Sequence, residues 1–290
     1  MTDNIRGAML MMASMAGFVF NDGFMRYVLE DIPLFQAVFL RGIFLCALLA
    51  LLAQSRGQIR YRPDRPNRLR IGLRCLAELI GTFCFLTALM LMPFANISAV
   101  MQFLPLSVTL AAAVFLQQPL GWRRVTAILI GFAGVMLIVR PDVGGFSYSA
   151  GLMLLTVGII TFRDVITRKL SDDVPSLYVA LMTGIMVTVS CGVLSAFTTW
   201  TAISLWHVIY MMVASAILVV GYVCGISAMR VGDIAFVAPF RYTALIWAIL
   251  IGIIVFEEIP DQLALLGALI VVGTGIYSFY RERQLAQGEG

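Results

Sequence analysis

The sequence predicts an all-α membrane protein with ten transmembrane helices, arranged as two inverted five-helix repeats around a central cavity. Three observations support this fold class: the apolar composition, the length of the apolar segments and an internal repeat. Of the 290 residues, 61% are hydrophobic and 12% are charged, whereas about a quarter of the residues in a soluble domain are charged. This composition is typical of an integral membrane protein.

Ten apolar segments are long enough to cross a bilayer, which requires roughly 20 residues per helix. Their continuous apolar runs exclude the alternating pattern of barrel strands, so each is predicted to be a helix. The predicted spans are residues 5–28, 33–54, 70–91, 94–117, 122–140, 149–170, 175–199, 204–229, 234–256 and 261–280. The longest connection, residues 55–69, is too short for a soluble catalytic, nucleotide-binding or nucleic-acid-binding domain.

The internal repeat is visible in two pairs of segments. Phe20–Pro33 reappears as Phe162–Pro175, with Phe, Asp, Arg, Asp and Pro at matching places. A second match pairs the segments that contain Gln117-Gln118 and Glu257-Glu258. The halves are therefore residues 1–145 and 146–290, with five spans each. Because five is odd, the second half crosses the membrane in the opposite sense, which predicts an inverted repeat.

The basic residues indicate the orientation. If the N-terminus is cytoplasmic, fourteen of the 20 basic residues lie in cytoplasmic segments, and only Arg26 and Arg140 lie outside. Positive residues favour the cytoplasmic side of a membrane protein. We therefore expect a multi-pass protein of the inner (plasma) membrane with both termini in the cytoplasm. Topology also explains the net charge of +4, so no nucleic-acid partner is expected.

Several segments, in order along the chain, carry a resemblance to a known family. They are LMPFANISAVMQFLPL, LIGFAGVMLIVRP and VAPFRYTALIWAILIGIIVFEEIPDQLALLGALIVVGTGIYSFYRER. Together they resemble the EamA-type branch of the drug/metabolite transporter superfamily. The resemblance implies a ten-span secondary carrier that exports amino acids or similar small metabolites. Gln117-Gln118 departs from the Gly-Glu pair that is frequent in this family.

Polar groups inside spans are the candidate substrate-binding residues, because burying them in a membrane is costly unless they pair or face water. Gln102 lies on a polar and small-residue stripe of span 4, and Arg241 could bind a substrate carboxylate. Packing or ion pairing within the protein is the competing interpretation of each residue. The candidates are Gln102, Arg241, Tyr242, Tyr222 and Arg41.

Charged residues spaced four apart are the candidate gating or coupling groups, because this spacing places two side chains on one helical face. Glu78 follows Arg74 in span 3, which is compatible with proton exchange or with a permanent ion pair. The repeated pattern Asp-x3-Arg predicts two latches at opposite membrane faces, with solvated helix ends as the alternative. The candidates are Glu78, Asp22, Arg26, Asp164 and Arg168, and the candidate hinges are Pro105 and Pro239.

The chain is not expected to be an enzyme, because it has no nucleophile–base set, no metal-ligand spacing and no phosphate-binding loop. No cofactor or metal is therefore expected. A secondary transporter working by alternating access is the favoured function, with a small-molecule substrate and the lipid bilayer as partners, as a monomer or homodimer. A carrier of anions such as nucleotides, or a facilitative channel, is the alternative. Pairing of Arg41, Arg74 and Arg163 with acids would argue against the anion carrier.

Overall fold

A computed structural model describes residues 3–117, 121–140, 148–171, 173–231 and 234–286. Within these ranges it has ten helical segments that are long and apolar enough to cross a membrane, which confirms the all-α, ten-span part of the predicted fold. The helices are α1 (Asp3–Asp31), α2 (Leu34–Ser55), α3 (Arg65–Leu91), α4 (Phe94–Met101), α5 (Leu104–Leu116), α6 (Trp122–Val139), α7 (Tyr148–Arg168), α8 (Ser176–Ser195), α9 (Leu205–Val231), α10 (Ile234–Val237), α11 (Thr243–Val255) and α12 (Gln262–Ala286).

Spans 4 and 9 are interrupted, and a candidate hinge lies at or next to each interruption. In span 4, α4 ends at Met101 and α5 starts at Leu104, with Pro105 in its first turn. In span 9, a 3-10 helix (Ala238–Tyr242) contains Pro239 and leads into α11. A proline has no backbone N–H, so it is tolerated in the first turn of a helix and interrupts a helix interior. The breaks are confirmed, whereas movement about them remains a prediction.

The two broken spans also end alike. The residue that follows α5, Gln117, has a left-handed backbone with φ of 54°, and Glu257, just beyond α11, has φ of 55°. These residues occupy matching positions in the aligned halves. The neighbouring Gln118 and the proposed boundary between the halves lie outside the described residues.

The helix packing follows the repeat, in which spans 1 to 5 correspond to spans 6 to 10. Span 1 (α1) packs against span 8 (α9). The corresponding pair, span 6 (α7) and span 3 (α3), also packs together. Likewise α1 contacts α11, and α5 contacts α7. The pairs α2 with α8 and α6 with α12 each map onto themselves. This pattern supports the inverted repeat predicted from the sequence.

The main apolar core lies where the two halves meet. It includes side chains with 2% exposure or less, such as Met25, Val28, Phe94, Val100 and Ala248. Many large apolar side chains are exposed on the outside of the bundle, where a bilayer would cover them.

Candidate functional site

A cavity of about 420 Å³ lies between α1, α8, α9 and the 3-10 helix of span 9. We call the end of the bundle that contains Asp3 the N-terminal end, and the end that contains Asp31 the opposite end. The cavity lies in the half nearest the N-terminal end, because three of its four α1 residues precede the middle of that helix. It is lined by Met11, Ser14, Met15, Phe18, Ser176, Tyr222, Gly225, Ile226 and Arg241.

Arg241 is the charged residue on the cavity wall. Its side chain is exposed to the cavity, and the described residues offer it no hydrogen bond or ion pair. Asp164 is the acidic group that attracts it, while Arg163 and Arg168 repel it. The guanidinium therefore remains available to an anion that enters the cavity. This position agrees with the prediction that Arg241 binds substrate, which no contact in the structure tests directly.

Tyr222 lines the same cavity, while its predicted role in substrate binding stays a prediction. Its ring makes an edge-to-face contact with Phe18, with ring centroids 5.3 Å apart. On the other side, the tyrosine lies within electrostatic reach of Glu78 and Arg163. Tyr222 therefore connects the cavity wall to the charged residues in the centre of the bundle.

The close approach of α1 and α9 depends on small residues. The hydroxyl of Ser14 donates to the carbonyl oxygen of Gly221 at 2.8 Å. A methyl group added to Gly17 would lie 3.1 Å from the Cα atom of Gly221, and one added to Gly225 would lie 2.8 Å from Ser14 Oγ. The cavity wall is thus fixed by backbone contact between these two helices.

Glu78 lies in a charged cluster that joins the two halves. Its Oε2 atom accepts a hydrogen bond from Arg163 Nη1 at 2.9 Å, whereas Arg74 Nη2 is 4.0 Å away. Arg163 also donates from Nε to Asp164 at 2.8 Å. The Arg74–Glu78 pair predicted from the spacing is therefore present as a longer contact, and the hydrogen-bonded partner of Glu78 comes from span 6.

Arg41 is held by a second polar chain, outside the cavity lining. Its Nη1 atom donates to Asn21 Oδ1 at 3.2 Å, and Asn21 Nδ2 donates to Asp22 at 2.9 Å. Asp22 is the acid that attracts Arg41 most strongly. Arg41 Nε is buried and has no hydrogen-bond partner among the described residues. The structure thus favours pairing within the protein over the predicted substrate contact.

At the opposite end lies a cluster that we call the Arg26–Glu258 cluster: Arg26, Met92, Phe94, Phe256 and Glu258. Arg26 forms a two-point ion pair with Glu258 and donates to the carbonyl of Met92 at 3.3 Å. The guanidinium carbon lies 4.5 Å from the ring centroid of Phe256. Glu258 also accepts from the backbone N–H of Phe94 at 2.7 Å.

The two Asp-x3-Arg latches predicted from the repeat are not formed. Arg26 binds Glu258 rather than Asp22, and Asp164 binds Arg163 rather than Arg168. Arg168 is exposed and has no hydrogen bond or ion pair in the described part of the chain. The prediction failed because spacing of four permits a pair on one helix, whereas acids on neighbouring helices offer shorter contacts.

Gln102 and Tyr242 lie away from the cavity, in contrast to the prediction. Gln102 is 8% exposed, and its amide donates to the carbonyl of Ser98 in the preceding turn at 3.2 Å. Tyr242 is 5% exposed, packs edge-to-face on Phe279 and has a buried hydroxyl without a partner among the described residues. Successive residues of a 3-10 helix point about 120° apart, so Arg241 and its neighbour face different sides.

Glu258 was missed as a candidate. The repeat comparison contained a signal, because Glu257-Glu258 replaces Gln117-Gln118 at the matching place. Its partner Arg26 is far away in the sequence, and only the packing of α1 beside α11 brings the two side chains together. The apolar lining residues Met11, Met15 and Phe18 were missed because nothing in an apolar helix marks which face borders a cavity.

Comparison with known proteins supports the fold and the class of protein. Residues 5–140 match the EamA-like transporter family. The chain is 24% identical to an S-adenosylmethionine uptake transporter of Rickettsia conorii over 91% of this chain and 89% of the relative. It is also 29% identical to a riboflavin transporter of Vibrio cholerae over 69% and 67% of the two chains. A pseudopaline exporter of Pseudomonas aeruginosa is 22% identical over 91% and 93%.

A solved crystal structure of a protein shares the fold, with a TM-score of 0.62 over 94% of this chain and 98% of the other chain. Its sequence identity is 18%, so the likeness concerns the fold alone. The family match, the transporters among the relatives and the ten membrane-spanning helices agree in excluding an enzyme. Residues 5–140 of this ten-span chain are similar to the EamA-like transporter family, and relatives that match the chain nearly end to end are membrane transporters.

Proposed function

We propose that this protein is a secondary carrier that moves a small amino-acid-like metabolite across the inner membrane by alternating access. In this proposal Arg241 binds the carboxylate of the substrate. The main supporting observation is that its guanidinium faces the cavity and lacks a partner within the described ranges. A charge in this setting is costly unless water or a ligand anion meets it. A guanidinium can bind a carboxylate through two parallel N–H donors.

The rest of the cavity suits an apolar or aromatic portion of the substrate. Phe18 and Tyr222 present ring faces or edges, and Met11 and Met15 supply flexible thioethers that adapt to irregular shapes. The volume of about 420 Å³ is within the usual range for small-molecule sites, roughly 300–1,000 Å³. These features support a small metabolite with one carboxylate and an apolar part.

The charge pairing argues against the nucleotide alternative. Arg74 and Arg163 both contact Glu78, and Arg163 also binds Asp164. Arg41 lies beside Asp22 and is hydrogen bonded to Asn21. Arg241 is the cavity-lining guanidinium that remains, and one guanidinium matches a single carboxylate better than a polyphosphate. The closed Arg26–Glu258 cluster likewise supports a carrier rather than an open channel.

We further propose that both termini face the cytoplasm, on the basis of the distribution of basic residues. The cavity is then on the cytoplasmic side, and the Arg26–Glu258 cluster closes the outer side. Loading from the cytoplasm fits export, while a carrier operates in both directions and its net flux follows the gradients. The similarity to carriers named for uptake and for export supports a reversible mechanism.

Counterflow into proteoliposomes tests this proposal. The panel contains amino acids, S-adenosylmethionine, riboflavin and nucleotides. We expect saturable counterflow of at least one carboxylate-bearing amino acid or derivative. Arg241→Ala should lower this counterflow at least tenfold, and Arg241→Lys should lower it less, because charge is kept while the two-point contact is lost. Arg140→Ala is the matched control, since that side chain is 44% exposed at the opposite end.

Three results would contradict the proposal. Counterflow of nucleotides alone would favour the anion carrier. Unsaturable leak of every solute would favour a channel. Saturable counterflow of amino acids that is unaffected by Arg241→Ala would show that the substrate carboxylate binds elsewhere.

A further inference from the structure

We propose that Glu258 is the gate residue of this carrier. Its ion pair with Arg26 holds the opposite end shut and must break once in each transport cycle. The inference rests on the proposed alternating-access function, and it adds a residue and a step that the function itself does not specify. Four observations support it, and each concerns a different part of the Arg26–Glu258 cluster.

The first observation is that the ion pair connects helices that must separate if the opposite end is to open. Arg26 lies near the end of α1, while Glu258 follows the end of α11 and also binds the backbone N–H of Phe94 at the start of α4. Three spans are therefore joined by one carboxylate. Two of these three spans are the interrupted ones, span 4 with Pro105 and span 9 with Pro239.

The second observation is the quality of the contact. Arg26 and Glu258 are 14% and 26% exposed, and both guanidinium Nη atoms bind the carboxylate. A two-point guanidinium–carboxylate pair is among the stronger hydrogen-bonded contacts in proteins. The ring of Phe256 lies under the guanidinium at 4.5 Å, which adds a cation–π contact. The pair is therefore shielded from water on one side.

The third observation is that Glu258 is itself held in place. Its backbone N–H donates to the carbonyl of Gly252 at 2.8 Å, which closes the end of α11. The preceding Glu257 has a left-handed backbone. Only a few per cent of residues other than glycine adopt this conformation, so the turn fixes the direction of the Glu258 side chain.

The fourth observation is the asymmetry between the two ends. Arg168 occupies the place of Arg26 in the second half. The residue matching Glu258 is Gln118, which lies outside the described residues. Arg168 itself is exposed and unpaired within the described ranges. The sequence thus provides a carboxylate for the gate at the opposite end and only a neutral amide at the N-terminal end.

This asymmetry has a consequence for the resting state. Opening the opposite end breaks the Arg26–Glu258 ion pair. Opening the N-terminal end breaks no corresponding ion pair, because Gln118 takes the place of Glu258 in the sequence. Without substrate, the carrier should therefore favour the conformation whose cavity is open toward the N-terminal end. Neutralising Glu258 should make the free-energy costs of opening the two ends more nearly equal. The population of molecules that are open at the opposite end should therefore increase.

Distance measurements between two spin labels test the gate. The labels are placed at Glu30 and Ile259, which are exposed positions on α1 and beyond α11, in a chain whose five cysteines are replaced by serine. The unsubstituted gate should give a single short distance in lipid nanodiscs. Glu258→Gln and Arg26→Gln should each add a longer distance, with at least a tenfold rise in the ratio of long to short populations.

A matched control uses an acid at the same end. Asp261, just before α12, forms an ion pair with Arg140, just after α6, and both side chains are about half exposed. Asp261 also caps α12 by accepting a hydrogen bond from the backbone N–H of Ala264. Asp261→Asn keeps the cap and removes the charge, and it should leave the distance distribution unchanged. The exchanged variant Arg26→Glu/Glu258→Arg restores the ion pair but not the acceptor for Phe94 N–H, so it should recover part of the short-distance population, which separates loss of the gate from general damage.

The inference is overturned if both neutral variants give the same distance distribution as Asp261→Asn. It is also overturned if the exchanged variant recovers none of the short-distance population while the protein remains monodisperse. The distances are read without substrate, so they do not depend on transport. Absence of any counterflow, together with the expected distance changes, would contradict the proposed carrier function and leave the gate supported.

Discussion

Gly134 and Gly267 meet backbone to backbone where α6 packs against α12. A methyl group added to Gly134 would lie 2.9 Å from the carbonyl oxygen of Gly267, and one added to Gly267 would lie 2.5 Å from the carbonyl oxygen of Gly134. Such close approach is how helices associate in membranes, where apolar burial from water is not available. The abundant glycines of spans 5 and 10 therefore have a packing role at this point.

Gly134→Ala should destabilise the protein, although alanine favours helix formation over glycine by about 1 kcal/mol. The added methyl meets backbone atoms that can yield only if the helices move apart. Overpacking of this kind costs about 1–3 kcal/mol. Thermal unfolding followed by tryptophan fluorescence in detergent should show a lower Tm. Gly273→Ala is the control, because nothing lies within 4 Å of its added methyl, and an equal drop in both variants would contradict the prediction.

Tyr242→Phe should retain transport and raise the Tm. The hydroxyl is buried without a partner among the described residues, and it lies against Gly275. Removing an unsatisfied buried hydroxyl should stabilise the protein by about 1 kcal/mol. Counterflow and thermal unfolding of the variant check both expectations. Loss of counterflow at unchanged Tm would instead return Tyr242 to the substrate site, as the sequence predicted.

Gln36→Leu should destabilise the opposite end of the bundle. The side chain is fully buried and binds both backbone groups of Thr201, donating from Nε2 at 2.8 Å and accepting at Oε1 at 2.9 Å. Its loss removes two hydrogen bonds to the backbone of Thr201, which is exposed so that water can replace them, and we expect a cost of about 0.5–1.5 kcal/mol for each hydrogen bond. Tm and proteolysis of the loop before α9 measure the effect. Gln54→Leu, at an exposed position, should leave both unchanged.

Glu78→Gln should be more harmful than the double change Glu78→Gln/Arg163→Gln. The single change leaves Arg74 and Arg163 with only Asp164, whereas the double change restores an equal number of opposite charges. Breaking one partner of a buried pair costs about 3–5 kcal/mol, and we expect the lower end because both side chains are 22% exposed. A double-mutant cycle on Tm should therefore show a favourable coupling. Additive losses would mean that the two residues act independently.

Much of the fold could be predicted from the sequence because it follows from local chemistry. A run of apolar residues in lipid must pair its backbone within a helix, so hydrophobic length alone identifies the spans. Pro105 and Pro239 likewise predicted the breaks in spans 4 and 9, since a proline acts on its own turn. The repeat predicted an inverted relation between the halves, and the packing pairs of the structure agree with it.

The candidate site was predicted only in part, because its charges find partners across the bundle. Arg241 and Tyr222 do line the cavity, and their polar groups in apolar helices marked them. Spacing within one helix gave the wrong partners for Arg26 and Asp164. Gln102 and Tyr242 do not line this cavity, because the 3-10 turn and the break after Met101 change the helical phase on which face assignments depend.

The sequence by itself determined that this is a ten-span membrane protein, where its helices are interrupted and that its halves are related. These properties depend on hydrophobicity, proline and identity between segments, which are local. Only the tertiary structure decided that Arg26 pairs with Glu258, that Glu78 bonds to Arg163 and that Arg241 faces the cavity unpaired. A charge takes its partner from whichever helix packs beside it, because Coulomb attraction depends on distance in space rather than along the chain.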